Sequence, residues 1–262
     1  MRKILAIAMN TFREAIRDRI LYGFLFFAVC LIFFSLIIGQ LSLNEEIRAT
    51  IDIGLAGISF FSVLMAIFLG ITLLHKEIEK RTLYTVLSKS ISRSAYLIGK
   101  FLGLALTLVV LIVLMAIIWI GVLYLQKGAP TGALFVALVL ILCETLVIIS
   151  MALFFTSFSS PFLSGLFCLG IFIAGRNADL ISQLGKQKSM AWMTPFLDGV
   201  STALPNFYLF FPSGKMVEGS WATVHGQFVS SGYLFSAVGY SLAYTAAFLL
   251  LSIVLLRRRD FI

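Results

Sequence analysis

Charged side chains are scarce in this chain: Asp, Glu, Lys and Arg make up 12% of its 262 residues, about half the share found in an ordinary soluble domain. That scarcity argues against a water-soluble globule. Cysteine is almost absent. Cys30, Cys143 and Cys168 each lie inside an apolar stretch, with no CxxC spacing and no neighbouring pair of histidines, which leaves neither a disulfide framework nor a zinc site. The two histidines, His75 and His225, fall on opposite sides of a membrane in the topology derived below, so they share no metal and no acid–base relay. A phosphate-binding loop is missing as well. The Gly-Lys pairs at 99, 185 and 214 lack the earlier glycine of G-x-x-x-x-G-K-[ST]. The chain is therefore not expected to hydrolyse ATP by itself, and no catalytic residue, cofactor or metal is expected.

What the chain has in excess is apolar length: 60% of it is hydrophobic. Runs of about 20 apolar residues, the length that crosses a ~30 Å hydrocarbon layer, recur from end to end. In lipid every backbone polar group must be satisfied within the protein, which makes such runs helices. The expected fold class is an all-α membrane protein, one domain over 1–262 with six transmembrane helices. The spans are read at 21–41, 53–74, 97–125, 133–155, 158–178 and 233–256. Gln126, Lys127, Gly128 and Pro130 form the turn before the fourth span, and Ser157, Ser159, Ser160 and Pro161 form a hinge between the fourth and fifth. The polar stretch 179–232 has room for short interfacial helices around Trp192 and over Phe207 to Phe211.

Residues 3 to 20 set Ile4, Leu5, Ala8, Phe12, Ala15 and Ile16 against Lys3, Asn10, Arg13, Glu14 and Arg17. A basic amphipathic helix of this kind lies in the headgroup plane, with membrane lipid as its partner. Glu14 and Asp18 ahead of the first span, and the lack of a small-x-small site after it, argue for a retained N-terminus. The net charge of +8 has its cations beside apolar runs, not in a separate basic domain, so no nucleic acid is expected as partner. Lys and Arg concentrate before the first span, between Lys76 and Lys100, and at Arg257 to Arg259. By the positive-inside bias, both termini and the loop 75–96 face the cytoplasm of a cell inner membrane, and the loop 179–232 faces outward.

Three features carry candidate chemistry. Glu144 is the one ionisable residue near the middle of an expected span, and an intramembrane carboxylate is either functional or hydrogen-bonded to a hydroxyl of a neighbouring helix. Tyr240 and Tyr244, on one face of the last span with Tyr233, either line a translocation path or a dimer seam, or act as interface anchors. The loop His75 to Lys100 is charged yet holds a compact apolar patch: Leu83, Val86 and Leu87 recur at i, i+3 and i+4, one face of a short helix. Such a patch suits docking into a groove on a soluble partner, and Ser92 suits the N-cap of the helix that follows.

These features resemble the permease subunits of ABC-2 type transporters over essentially the whole chain. The likeness rests on the amphipathic helix before the first span, on Glu77 through Lys100 with its Thr-Leu, Ile-Ser-Arg and Gly-Lys elements, and on the hinge Ser157 to Pro161. The sequence looks closest to the branch with the permease of the nitrous oxide reductase copper-maturation system, with Arg81 where a Gly is common and Ser90 where a Pro usually precedes Ile-Ser-Arg. The resemblance implies a type V exporter-like fold, a permease homodimer, and two copies of a separate ATPase subunit. It assigns coupling to that ATPase to Glu77, Thr82, Leu83, Val86, Leu87, Ile91 and Arg93, and to Ser159 and Pro161. The expected function is transport driven by the partner ATPase. The alternative is a mechanical transmitter or scaffold acting on an extracytoplasmic protein through 179–232.

Overall fold

The computed structural model describes residues 2–41, 46–79, 92–126, 128, 132–178, 199, 204–210, 215–217, 220–222 and 231–258. Among these, seven helices dominate: α1 (Arg2–Ile16), α2 (Arg19–Leu41), α3 (Glu46–Glu79), α4 (Arg93–Leu125), α5 (Gly132–Thr156), α6 (Pro161–Arg176) and α7 (Ser231–Arg258). Five of them, α2 to α5 and α7, are long and apolar enough to cross a membrane. Helix α6 is apolar but has 16 residues, so at 1.5 Å per residue it reaches about 24 Å and stops short of a full crossing. A 3-10 turn, Phe207–Phe210, and a two-stranded antiparallel hairpin, β1 (Lys215–Val217) with β2 (Ser220–Ala222), complete the described structure. The hairpin is a small addition to an otherwise helical protein.

Local chemistry explains where the helices start. Ser92 caps α4, its hydroxyl accepting from the Ala95 N–H at 3.2 Å. Asp18 does the same for α2, accepting from the Ile20 N–H at 3.1 Å, which satisfies one of the donors a helix start leaves open. Pro161 opens α6, where the missing N–H costs nothing.

The centre of the bundle is α3, packed between α2, α4 and α5. Its approach to α4 is close enough to require glycine: a Cβ on Gly54 would lie 1.9 Å from the Trp119 Nε1. That indole is fully buried and donates to the Thr50 carbonyl at 3.3 Å. Gly70 allows a similar approach to Ala152 of α5. Helix α7 is fastened to α5 at two depths, by Ser241 donating to the Cys143 carbonyl at 2.9 Å and by the Ser157 and Ser252 hydroxyls 2.7 Å apart.

The expected interfacial helix divides its faces differently from the sequence reading. Ala8, Thr11 and Ala15 are buried, and α1 packs chiefly on α4. A Cβ on Gly99 would meet Ile7 at 2.8 Å, and one on Gly103 would meet the Ala8 carbonyl at 2.5 Å. Leu5, by contrast, points away and is 69% exposed. Half of the apolar side is thus spent on protein, and Glu14 turns inward with it. The face of the bundle that carries α1, the end of α3, the start of α4 and the end of α7 is called the N-terminal face below.

Candidate functional site

On the N-terminal face, the residues flanking 80–91 are held by charge. Lys100, almost fully buried, lies 2.6 Å from a Glu77 carboxylate oxygen and 3.6 Å from one of Glu14. Tyr96 donates its hydroxyl to Glu77. Next to Glu77 in the chain, Lys76 lies 2.9 Å from Asp18. Burial works against the Asp18 charge, but the hydrogen bonds from Lys76 and the Ile20 N–H outweigh it and hold the carboxyl below the usual carboxylate range. Arg93 donates to the Leu256 carbonyl at the end of α7, where a cation also complements the helix dipole. Residues from α1, α3, α4 and α7 therefore meet around the two ends of the segment 80–91.

Of the expected coupling residues, Thr82, Leu83, Val86, Leu87 and Ile91 lie outside the described residues. Glu77 and Arg93 stand at the two flanks, in the contacts just given. Ser159 and Pro161 sit in the hinge between α5 and α6, where the Ser159 N–H bonds to the Phe155 carbonyl at 2.9 Å. The Ser159 hydroxyl is buried with no hydrogen-bond partner among the described residues.

A second cluster lies deep in the bundle. Glu144, midway along α5, is 0% exposed. Its carboxylate accepts from the Ser59 hydroxyl of α3 at 3.0 Å and from the Arg176 guanidinium at 2.9 Å. Arg176 also donates to the Ser59 oxygen at 3.2 Å and lies 5.5 Å from the Phe172 ring centroid. Because α6 is short, its last residue reaches only as far as the middle of α5, so Arg176 sits inside the bundle and not in a polar loop beyond it. Arg176 also lines a cleft of about 510 Å³, walled by Leu31, Gly57, Phe60 and Phe172.

Tyr240 and Tyr244 pack against each other with ring centroids 4.6 Å apart and planes tilted by 44°. The Tyr240 oxygen accepts the Asn206 N–H at 2.9 Å, and Tyr233 donates to the Leu209 carbonyl at 2.6 Å. The two tyrosines thereby anchor the segment 204–210, whose Phe207 is buried against Phe172 and Gly175. The expected interfacial helix over 207–211 is thus a buried 3-10 turn, and Trp192 lies outside the described residues.

Sequence reasoning missed Arg176, Ser59, Lys100 and Glu14 as partners. For Arg176 no local signal exists, since Glu144 is 32 positions away. For Glu14 and Asp18 a signal was present: two acids spaced i, i+4 on an otherwise basic helix share one face.

Such an architecture, with long apolar helices around a buried core and an amphipathic helix on one face, defines a multi-pass helical membrane protein. The model of the ABC-2 family transporter proteins matches residues 5–261, and the chain belongs to that family. It is a membrane-embedded permease of an ABC transporter, and the family implies pairing with an ABC ATPase subunit. No curated protein matches the chain.

Proposed function

We propose that this chain is the membrane half of a transporter driven by a separate ATPase, with two permease chains and two ATPase copies in the working complex. The substrate crosses a cell inner membrane, and the N-terminal face is cytoplasmic. Support comes chiefly from the way the segment 80–91 is mounted. Its flanks are tied to α1 through Lys100 and Glu14, to the junction of α1 and α2 through Lys76 and Asp18, to each other through Glu77, and to α7 through Arg93. A push on that segment is delivered to four helices at once, which is what a coupling element must do. Leu83, Val86 and Leu87 supply its apolar contact with the ATPase, and Ser159 and Pro161 a smaller second one. Glu144, Tyr240 and Tyr244 border the path that changes shape as the helices rock.

To test this reading, Leu83→Asp and Leu87→Asp are introduced into the purified permease–ATPase complex. Both are expected to abolish stimulation of ATP turnover by the permease. Stimulation at the wild-type level in both variants would remove the docking claim. A second reading, a transmitter that moves an outside partner and no solute, is favoured by the anchoring of 204–210 to α7 through Tyr233 and Tyr240. Glu144→Gln separates the two: solute flux that falls in this variant while ATP turnover persists supports transport, and the absence of flux in any variant supports the transmitter.

A further inference from the structure

The charges of the first twenty residues are sorted by sign. Glu14 and Asp18 point inward to Lys100 and Lys76. Arg2, Lys3, Arg13, Arg17 and Arg19 are all exposed. Beside the cations runs an apolar stripe, Leu5, Met9, Phe12 and Ile16, spaced i, i+4, i+7 and i+11; Leu5 and Met9 are 69% and 42% exposed. Helix α1 therefore has three faces: one docked on α4, one apolar and open, one cationic and open.

A helix that served only to pack on α4 would have no use for the last two faces. Its position assigns them. Helix α1 ends at Ile16 and the first membrane-crossing helix starts at Arg19, which fixes α1 at the edge of the hydrocarbon. There an apolar stripe enters the tops of the acyl chains, and guanidinium groups beside it reach headgroup phosphates. The docked face and the junction that follows it meanwhile hold both flanks of 80–91, Asp18 at the start of α2 gripping Lys76 on the way in and Glu14 of α1 gripping Lys100 on the way out.

We propose that α1 is a sensor of anionic phospholipid: acidic headgroups bind its cationic face, and its seating on them sets, through the pairs Glu14–Lys100 and Asp18–Lys76, how the flanks present residues 80–91. The lipid contact stands on α1 alone. Its regulatory meaning rests on the reading of 80–91 as the ATPase contact.

The experiment compares hydrogen exchange of the full-length permease in nanodiscs of phosphatidylcholine with that in nanodiscs containing added phosphatidylglycerol. Phosphatidylglycerol is expected to slow exchange in α1 and in both flanks, Lys76–Glu79 and Ser92–Lys100. R13Q and R17Q, at exposed positions that leave the fold intact, reduce that protection about five-fold for each cation removed. E14Q combined with D18N keeps the protection of α1 and loses it in the flanks; should that pair fail to fold, Lys76→Gln, at a half-exposed position, replaces it for the Asp18 arm. Exchange in α1 that is the same in both lipids overturns the proposal, as does a flank response that survives loss of the ion pairs. Stimulation of the ATPase is read in parallel. If L83D leaves it unchanged while the exchange pattern persists, the coupling reading fails and the lipid site stands.

Discussion

Glu144 and Lys100 are both charged groups withdrawn from water, but they are matched in different ways. Glu144 is fully buried, and the side chain of its cation among the described residues, Arg176, is 24% exposed. Lys100 is almost as deeply buried, yet it has two carboxylates, Glu77 at 19% and Glu14 at 37% exposure. In the middle of the bundle Arg176 holds one Glu144 carboxylate oxygen and Ser59 the other. At the rim Lys100 meets two carboxylates among the described residues, and both of them are partly open to water. The difference teaches where each cluster breaks: the inner one fails when Glu144 is left alone, whereas the outer one can lose a member and draw on solvent.

Arg176→Leu is the largest break available. It leaves a carboxylate with no exposure and, among the described residues, a single hydroxyl partner, costing about 3–5 kcal/mol if the charge is kept; uptake of a proton caps the loss at the lower end. Thermal unfolding in detergent should drop accordingly, and adding Glu144→Gln should restore more than half of it. Glu144→Gln alone costs less, because Arg176 lines the cleft and can turn toward it. A normal unfolding temperature for Arg176→Leu would contradict the buried ion pair.

Lys100→Met tests the outer cluster. It removes the cation and leaves Glu77 and Glu14 facing each other, but both can reach water, so the expected cost is about 2 kcal/mol. If it destabilised as much as Arg176→Leu, the two clusters would not differ in their access to solvent. Gly103→Ala sharpens the same region through packing. The added Cβ would sit 2.5 Å from the Ala8 carbonyl, forcing α1 outward at a cost of about 1–3 kcal/mol. Gly121, with open space around it, is the control: Gly121→Ala should be neutral or stabilising by about 0.5–1 kcal/mol, the ordinary helix preference. Protease sensitivity of α1, read with the unfolding temperature, separates local release from global loss.

The amount of this that was legible in the sequence follows from what is local. Helices α2 to α5 and α7 announce themselves through uninterrupted apolar runs, and Ser92, Pro161 and the hinge serines mark ends that depend on neighbouring residues alone. Glu144 stood out because a charge within an apolar run is conspicuous by itself. Its partner did not, since Arg176 closes a short helix and looks like the start of a polar loop until the length of α6 is known. The same holds for Lys100: a Gly-Lys at the start of a span reads as an interfacial cation, and only the docking of α1 on Gly99 and Gly103 turns it inward. Tyr240 was visible as a polar group on an apolar helix, but its bond to Asn206 depends on how the chain between α6 and α7 returns to the bundle.

The smallest effect comes from Asp18, which has two roles that can be separated. It caps α2 through the Ile20 N–H and pairs with Lys76, whose side chain is 46% exposed, so screening limits the pair to about 0–1 kcal/mol. Asparagine is as good a cap as aspartate, so Asp18→Asn removes the pair and spares the cap, whereas Asp18→Ala removes both and should cost about 1 kcal/mol more. The pH dependence identifies which role is read. In the folded protein the Asp18 carboxyl titrates below its ordinary value, so its stabilisation is complete above the ordinary carboxylate range and fades as the pH falls through the lowered value. Wild type and Asp18→Asn should therefore differ in protease sensitivity of α1 at neutral pH and converge in acid, and added salt should narrow the gap at neutral pH. The absence of any gap at neutral pH would mean that the ion pair contributes nothing and that the cap alone holds the junction of α1 and α2.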